Sequence, residues 1–393
     1  MPKKAIVICY NYEPEHIPRK PDAEKRFYTY GFGGNFGKNI KRYINEYEVE
    51  VWRLDGYTDR YYEDIVNDVR YRVFPSFHIS NVIDFSLKFL IELKKEVRKS
   101  NPTIIVPHTH YWLSYMVALH FKKSRIITTH HGEWSPFYRI NKTKGLRKLK
   151  SALDILLEKL VFKNIDCILT SELNQIQYFQ KAFKNITYIL WSTGVNFEYM
   201  NPIPKADARK ELGWDSNKKY ILYVGKLYKY KQADVMIRTW KQLNKLRPEI
   251  QLVVIGNTPG DPWEEYYQMA VDSGAMVLGR ILNKELYKYY SASDVYILFA
   301  LRDDYFGGTG VAALESLACN TPVVSYALRN YIGDNVNELG EVPDSIQKYK
   351  EAILKVIDNP YNYKNMRKSV FENYSYEAVY GRLKNLLQNL SEQ

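Results

Sequence analysis

What most constrains this chain is an alternation that runs through it twice. Short Val/Ile-rich runs bounded by turn residues, namely AIVICY, EVEVWRL, TIIVPH, RIITTHH, CILTS and ITYIL, alternate with longer amphipathic stretches in the first half. Continuous apolar runs of this length mark strands buried on both faces, and a parallel sheet under crossover helices is what buries them so. After Val195 a polar segment rich in Pro and Lys intervenes, and the pattern restarts with YILYVG, QLVVIG, MVLG, DVYILF and TPVVSY. Two doubly wound, Rossmann-like α/β units joined near residues 196–217 follow, with ligand expected in a crevice at the carboxyl ends of the strands. A length of 393 residues suits two such domains. The expected division is 1–196, 197–374, and a C-terminal helix over 375–393 that starts at Ser375 as N-cap and packs back on the first domain.

Composition narrows the class. With 46% hydrophobic and 25% charged residues the chain is neither disordered nor membrane-embedded by composition. No apolar stretch reaches the roughly 20 residues needed to span a bilayer. The opening MPKKAIVICY has too short an apolar run for a secretion signal, and Glu13 and Glu15 follow it, so it is read as a first buried strand. A net charge of +12 favours acidic partners: nucleic acid, anionic lipid or a phosphate-bearing small substrate. No nucleic-acid module signature is present, so no nucleic-acid partner is expected. Cys9, Cys167 and Cys319 are odd in number and lie in apolar surroundings without a CxxC, which reads as buried free thiols in a reducing compartment. The expected location is cytoplasmic, with peripheral contact on the inner face of the membrane left open.

Four segments carry candidate chemistry. Gly225 leaves a strand into Lys226 and Lys231, which puts two cations at a strand's carboxyl end, where a diphosphate would sit. An exposed basic turn is the alternative. Gly307-Gly308-Thr309-Gly310 opens a helix at Val311 that carries Glu315, and unpaired N–H groups with the positive end of a helix dipole suit phosphate. Glu315 then reads either as an acceptor for ribose hydroxyls or as a surface acid favoured by the helix dipole. His130 and His131 end a strand before Gly132, and because neighbours on a strand point to opposite sides they do not share a metal ion. One of them facing the crevice, or a structural role, remains. Gly31-Phe32-Gly33-Gly34-Asn35-Phe36-Gly37 fails the dinucleotide fingerprint, since Phe36 stands where glycine is required and the strand lies some twenty residues back. It reads as a flexible glycine turn facing the crevice.

Taken in order, these segments resemble family 4 of the glycosyltransferases, the retaining enzymes of GT-B fold, over nearly the whole chain. The likeness is carried by Gly33-Gly34, His131-Gly132 and Trp191-Ser192-Thr193-Gly194-Val195-Asn196 in the first half, and by ARKELGW, YVGKLYKYK, LVVIGNTPG, MVLGRILNKELYKYYSASDVYILFAL and ALESLACNTPVVSY in the second. It implies two facing Rossmann-like domains, the first for the acceptor and the second for a nucleotide sugar, UDP- or GDP-linked. It implies a hexosyltransferase that retains the anomeric configuration without a protein nucleophile, a cofactor or a metal, acting on a carbohydrate or lipid-linked hydroxyl. Lys226, where the family usually has arginine, and Lys231 match the pair that neutralises the donor diphosphate. His131 matches the residue beside the reacting sugar, Glu315 the ribose ligand of the family's Glu-x7-Glu motif, and Gly308, Thr309 and Gly310 the phosphate-facing loop before Val311. Arg280 and Ile281 match the turn whose backbone contacts the base. Gly33 and Gly34 are sugar or acceptor contacts in this reading. The departure is Gly307, which stands where the motif's first glutamate belongs. Asp303 or the backbone of Gly307 and Gly308 then takes the sugar contact. A nucleotide-sugar epimerase on the same scaffold and a degenerate, binding-only relative are the other classes.

Residues 142–163 raise a membrane question. Leu146, Leu149, Leu153, Leu156 and Leu160 recur at helical spacing beside Lys142, Lys144, Arg147, Lys148 and Lys150. Such a helix either packs its leucines on the core or docks on anionic lipid.

Overall fold

The computed structural model describes residues 4–11, 31–56, 58–80, 83–132, 134–261, 263–301 and 308–392. Its strands form where the apolar runs stand and, over residues 62–85, also where no such run marks them. In the first half they are β1 (Lys4–Tyr10), β2 (Tyr47–Asp55), β3 (Tyr62–Val66), β4 (Val69–Pro75), β5 (Phe77–Ser80), β6 (Ile83–Phe85), β7 (Thr103–Pro107), β8 (Ile126–His130), β9 (Cys167–Thr170) and β10 (Thr187–Leu190). Eight of them make one sheet in the order β10-β9-β8-β7-β1-β2-β4-β3, and β5 pairs with β6 apart. Every pairing in the large sheet is parallel except β3 with β4, a hairpin turned at Asn67 and Asp68, both at positive φ. The chain starts in the middle of this sheet and winds outward both ways, so its switch point lies between β1 and β7.

Helices α1 (Gly31–Tyr43), α2 (Leu87–Ser100), α3 (Trp112–His120), α4 (Pro136–Lys142), α5 (Leu146–Val161) and α6 (Leu173–Ala182) join these strands. The glycine-rich segment at 31–37 is therefore helix, not a flexible turn. Phe36, Ile40 and Ile44 recur every four residues and are buried, which outweighs the poor helix propensity of the glycines. Gly33 and Gly37 let α1 approach the sheet closely. A Cβ on Gly33 would stand 2.4 Å from the Tyr10 ring, and one on Gly37 2.3 Å from Val51.

The second sheet has the order β13-β12-β11-β14-β15-β16, all parallel, from β11 (Lys219–Val224), β12 (Ile250–Ile255), β13 (Met276–Val277), β14 (Val295–Leu298), β15 (Val323–Ser325) and β16 (Gly340–Glu341). Its switch point lies between β11 and β14. Its helices are α7 (Lys205–Leu212), α8 (Ala233–Leu246), α9 (Glu264–Asp272), α10 (Leu286–Ala292), α11 (Val311–Ala318), α12 (Ile346–Asp358) and α13 (Met366–Tyr374), and α14 (Tyr376–Glu392) ends the chain.

By contacts the chain divides into one unit of Met1–Trp191 with Tyr380–Gln393 and another of Ser192–Val379, each with its own apolar core. The hydroxyl of Ser375 accepts from Ala378 N at 3.2 Å, capping α14. Farther along α14, Tyr380 stacks on Tyr43 and Lys384 pairs with Glu46 at 2.8 Å, both within the first unit. The three cysteines are free and buried, and burial pushes the thiols of Cys167 and Cys319 up to about 12. No helix among the described residues is long and apolar enough to cross a membrane.

Candidate functional site

In the second unit the residues singled out above gather at the carboxyl ends of β11 to β14. The strand ends are drawn close. Gly225 N donates to Ile255 O at 2.8 Å and Gly256 N to Gly279 O at 2.7 Å. Gly225 and Gly256 both sit at positive φ, and a Cβ on Gly256 would lie 2.8 Å from Gly225 O, so only glycine fits there.

Lys226 follows Gly225 directly, and a one-turn 3₁₀ segment, Lys229–Lys231, brings Lys231 back over the strand end. Its Nζ lies 3.4 Å from where a Cβ on Gly225 would be and 5.9 Å from the Tyr228 ring centroid. Burial and the charge of Lys226 hold the Lys231 ammonium below the usual lysine range. Neither lysine's ammonium group has a hydrogen bond or an ion pair among the described residues. Two converging cations, of which Lys226 feels the Asp261 carboxylate but neither is ion-paired among the described residues, describe a place prepared for a bound anion. The exposed-turn alternative holds for the tip of the segment, Lys229 and Tyr230, while Lys226 and Lys231 are half-buried.

After β14 the chain reaches Leu301, whose N–H is held by Gln232 Oε1 at 2.9 Å. Asp303 and Gly307 lie outside the described residues. Gly308 and Thr309 are buried, Gly310 at φ 87° caps α11, and Val311 is its first residue. The first-turn N–H groups of α11 are open to a ligand by helix geometry. Thr309 is buried and its hydroxyl has no hydrogen-bond partner among the described residues, and the same holds for Nδ2 of fully buried Asn257 just past β12. Buried polar groups left so in a folded chain point to a partner that arrives from outside.

Glu315 lies one turn into α11 and is buried, so the surface-acid alternative is overturned. Asn283 Nδ2 donates to one carboxylate oxygen at 2.8 Å and the Tyr290 hydroxyl to the other at 2.9 Å. Burial raises its carboxyl above the ordinary range against the pull of those two bonds. A carboxylate oxygen accepts more than one bond, so Glu315 keeps capacity for hydroxyl donors. Past β13, Gly279 leads into Arg280, which is ion-paired with Asp261, and half-buried Ile281. Burial works to raise the Asp261 carboxyl, but bonds from Thr258 N–H and hydroxyl, with the charges of Arg280 and Lys226, hold it below its usual range.

The first unit assembles its own group at the ends of β1, β7 and β8. His130 is buried beside the Thr170 hydroxyl at 3.4 Å, while His131 is half-buried, with Nε2 2.5 Å from Thr129 Oγ1. The His131 ring meets that of His108 edge-on at 5.3 Å, and His108 takes positive φ (67°) and stacks on Tyr111. Asn11, just past β1, is buried, and neither amide atom is hydrogen-bonded among the described residues. Extending the parallel register Ile8↔Ile105 by three places sets it beside His108, at this sheet's switch point. Gly33 and Gly34 fall in the first turn of α1 and are buried, Gly33 against Tyr10 and Gly34 with its carbonyl accepting from the Tyr71 hydroxyl at 3.4 Å.

Sequence reasoning missed Asn11, His108, Asn257, Asn283 and Tyr290. Asn257 had a signal, a polar residue directly after the glycine that ends an apolar strand. The pairing of Asn283 with Glu315 across 32 positions had none.

Comparison with known proteins follows the same division. A family described as Glycosyltransferase Family 4 matches residues 40–198, and one described as Glycosyl transferases group 1 matches residues 204–373. A D-inositol 3-phosphate glycosyltransferase of Thermobispora bispora is 25% identical over 278 residues, 65% of this chain and 63% of that protein, so the match spans under two thirds of the relative's length. Sucrose-phosphate synthase from Thermosynechococcus elongatus superposes with a TM-score of 0.69 at 18% identity, covering 99% of both chains. The Anabaena protein HepE, solved with UDP and glucose, superposes with a TM-score of 0.64 at 12% identity over 97% of this chain and 99% of its own.

Proposed function

This chain is a glycosyltransferase of family 4 with the GT-B fold, and from that premise we propose that it moves a hexosyl group from a nucleotide sugar to an acceptor hydroxyl with retention at the anomeric carbon. The observation that carries the proposal is the convergence of Lys226 and Lys231, neither ion-paired among the described residues, at the end of β11, whose neighbour β14 precedes the opening of α11. A diphosphate placed there meets two ammonium groups, open helix N–H groups and the unpartnered Thr309 hydroxyl.

Phosphates at that position put the ribose within reach of Glu315 and the base toward Arg280 and Ile281. The similar HepE fold with UDP and glucose supports this choice of donor class. Chemistry then consists of positioning and charge stabilisation. As the glycosidic bond breaks, negative charge grows on the departing diphosphate, and Lys226, Lys231 and the α11 N-terminus stabilise it. Groups so placed are each worth on the order of 10²–10³ in rate. The leaving phosphate takes the acceptor proton. Positive charge on these side chains fills the role a metal ion has in other transferases, so activity in excess chelator is expected.

The first unit is assigned the acceptor, with His131 beside the reacting sugar. The unpartnered amide of Asn11 offers a donor and an acceptor to a hydroxylated substrate. A carbohydrate or lipid-linked acceptor fits this chemistry.

The test is incubation with a panel of radiolabelled UDP and GDP sugars and simple sugar, polyol and lipid acceptors, with the anomeric configuration of product read by NMR. Transfer with retention supports the reading. Epimerised donor, or tight donor binding without turnover, would overturn it.

A further inference from the structure

Helix α5 is built inside out. Its buried residues are Ser151, Asp154, Glu158 and Val161, while Leu146, Leu149, Leu153, Leu156 and Leu160 are between 53% and 85% exposed. At 100° per residue those five leucines fall in an arc of about 80°, opposite the buried face. The alternative that the leucines pack on the core is thereby overturned.

The charges are sorted as sharply. The segment has two acids, and both are turned inward: Asp154 pairs with Arg139 at 2.9 Å and Lys150 at 2.7 Å, and Glu158 with His110 at 2.6 Å and the Tyr115 hydroxyl at 2.7 Å. Among residues 142–163 every exposed position is leucine, glycine, lysine or arginine. Lys150 lies on one side of the leucine stripe, and Lys148 and Lys159 on the other.

We propose that α5 is a membrane-docking helix, its leucine stripe entering the headgroup and acyl boundary of an anionic bilayer while the flanking lysines bind acidic headgroups. The inner, polar side makes the design workable. Asp154, through its ion pairs, and Glu158, through its hydrogen bonds, hold the helix to its unit together with the apolar contacts of Leu157 and Val161, leaving the five stripe leucines for another partner. The observation that selects a bilayer over a second copy of the chain is charge. Two such faces brought together would oppose lysine with lysine, whereas an anionic surface complements every exposed charge of the segment. A stripe of isolated leucines with basic flanks matches the composition of helices that lie in the interfacial plane. The inference rests on the lipid-linked acceptor in the reading above, since an enzyme lying on the bilayer meets such an acceptor in two dimensions.

The experiment is flotation of the full chain with vesicles of phosphatidylcholine, with and without about a third phosphatidylglycerol, at low and high salt. The wild type is expected to float with the acidic vesicles at low salt and much less with the neutral ones. Leu149→Glu/Leu153→Glu/Leu156→Glu alters only exposed positions, and it should abolish flotation. Lys148→Glu/Lys159→Glu should weaken it at least tenfold, each lysine near the surface contributing roughly fivefold. Circular dichroism and thermal unfolding confirm that each variant is folded. UDP and GDP binding by calorimetry on the same proteins reads the donor site separately, and stays unchanged in both variants if the two proposals are independent. Absence of flotation with acidic vesicles at low salt, unchanged flotation of the triple leucine variant, or a stripe-dependent dimer that ignores vesicles would overturn the proposal.

Discussion

Burial of the Lys231 ammonium, and next to it the charge of Lys226, depress its affinity for a proton. Unfolded, the same side chain titrates in the ordinary lysine range, so between the two values the unfolded chain holds more protons and stability rises with pH as the cost of burying this charge beside Lys226 is relieved. A bound diphosphate reverses the sign by restoring Lys231 to its charged form. Binding of UDP or GDP at alkaline pH is therefore expected to take up protons, and calorimetry in buffers of different ionisation enthalpy measures it. A binding heat that is independent of buffer would show that no such proton moves. For the same reason Lys231→Ala should lower turnover at least a hundredfold. Glu315→Ala should do so too, by freeing Asn283 and Tyr290 and removing the ribose acceptor. Normal kcat/KM in either, with a folded protein, would remove the residue from the site. The two lysines were legible in the sequence because they follow a glycine at a strand end. Asn11 and Asn257 were not, since an amide becomes informative only when the structure shows its enclosure and the amide atoms, both in Asn11 and Nδ2 alone in Asn257, that lack a partner among the described residues.

At the scale of elements, what was legible depended on whether burial is visible in a local pattern. Strands covered on both faces read as unbroken apolar runs, and β1, β2, β7 to β9 and β11 to β15 stand where those runs predict. The hairpin of β3 and β4 went unread because YEDIV alternates with charge, although Asn67-Asp68 carried the signal for a two-residue turn. Helix α1 shows the opposite error, since its glycines suggested a loop and their use is close packing. Gly33→Ala places a methyl group 2.4 Å from the Tyr10 ring, and overpacking of this kind costs about 1–3 kcal/mol. Urea unfolding should show that loss of stability whether or not nucleotide is present. An unchanged midpoint would mean that Tyr10 can move aside, and would return the glycine to a role toward substrate. In α5 the leucine spacing was legible and its direction was not. Periodicity places residues on one face without saying whether that face meets the core or the outside.

For the whole molecule, the restart of the strand pattern after Val195 announced two units, and the two family matches and the two sheets divide there as well. Each sheet has its own switch point, and the residues assigned to the donor all belong to the second. That separation makes a prediction that no single substitution can make. Groups that bind a ligand exchange their amide hydrogens more slowly once it is bound, by an amount that follows from the affinity and the excess of ligand. On adding UDP or GDP, hydrogen exchange should slow most at Gly225–Lys231, around Asn257 and Gly279–Ile281, and in the first turn of α11, all at the carboxyl ends of the second sheet. Peptides from β3 to β6 carry none of the proposed contacts and should be indifferent. If the largest protection appeared instead at Asn11, His108 and His131, the nucleotide would belong to the first unit. The pair of lysines would then need another anion, and the assignment of donor and acceptor to the two halves of the chain would have to be exchanged.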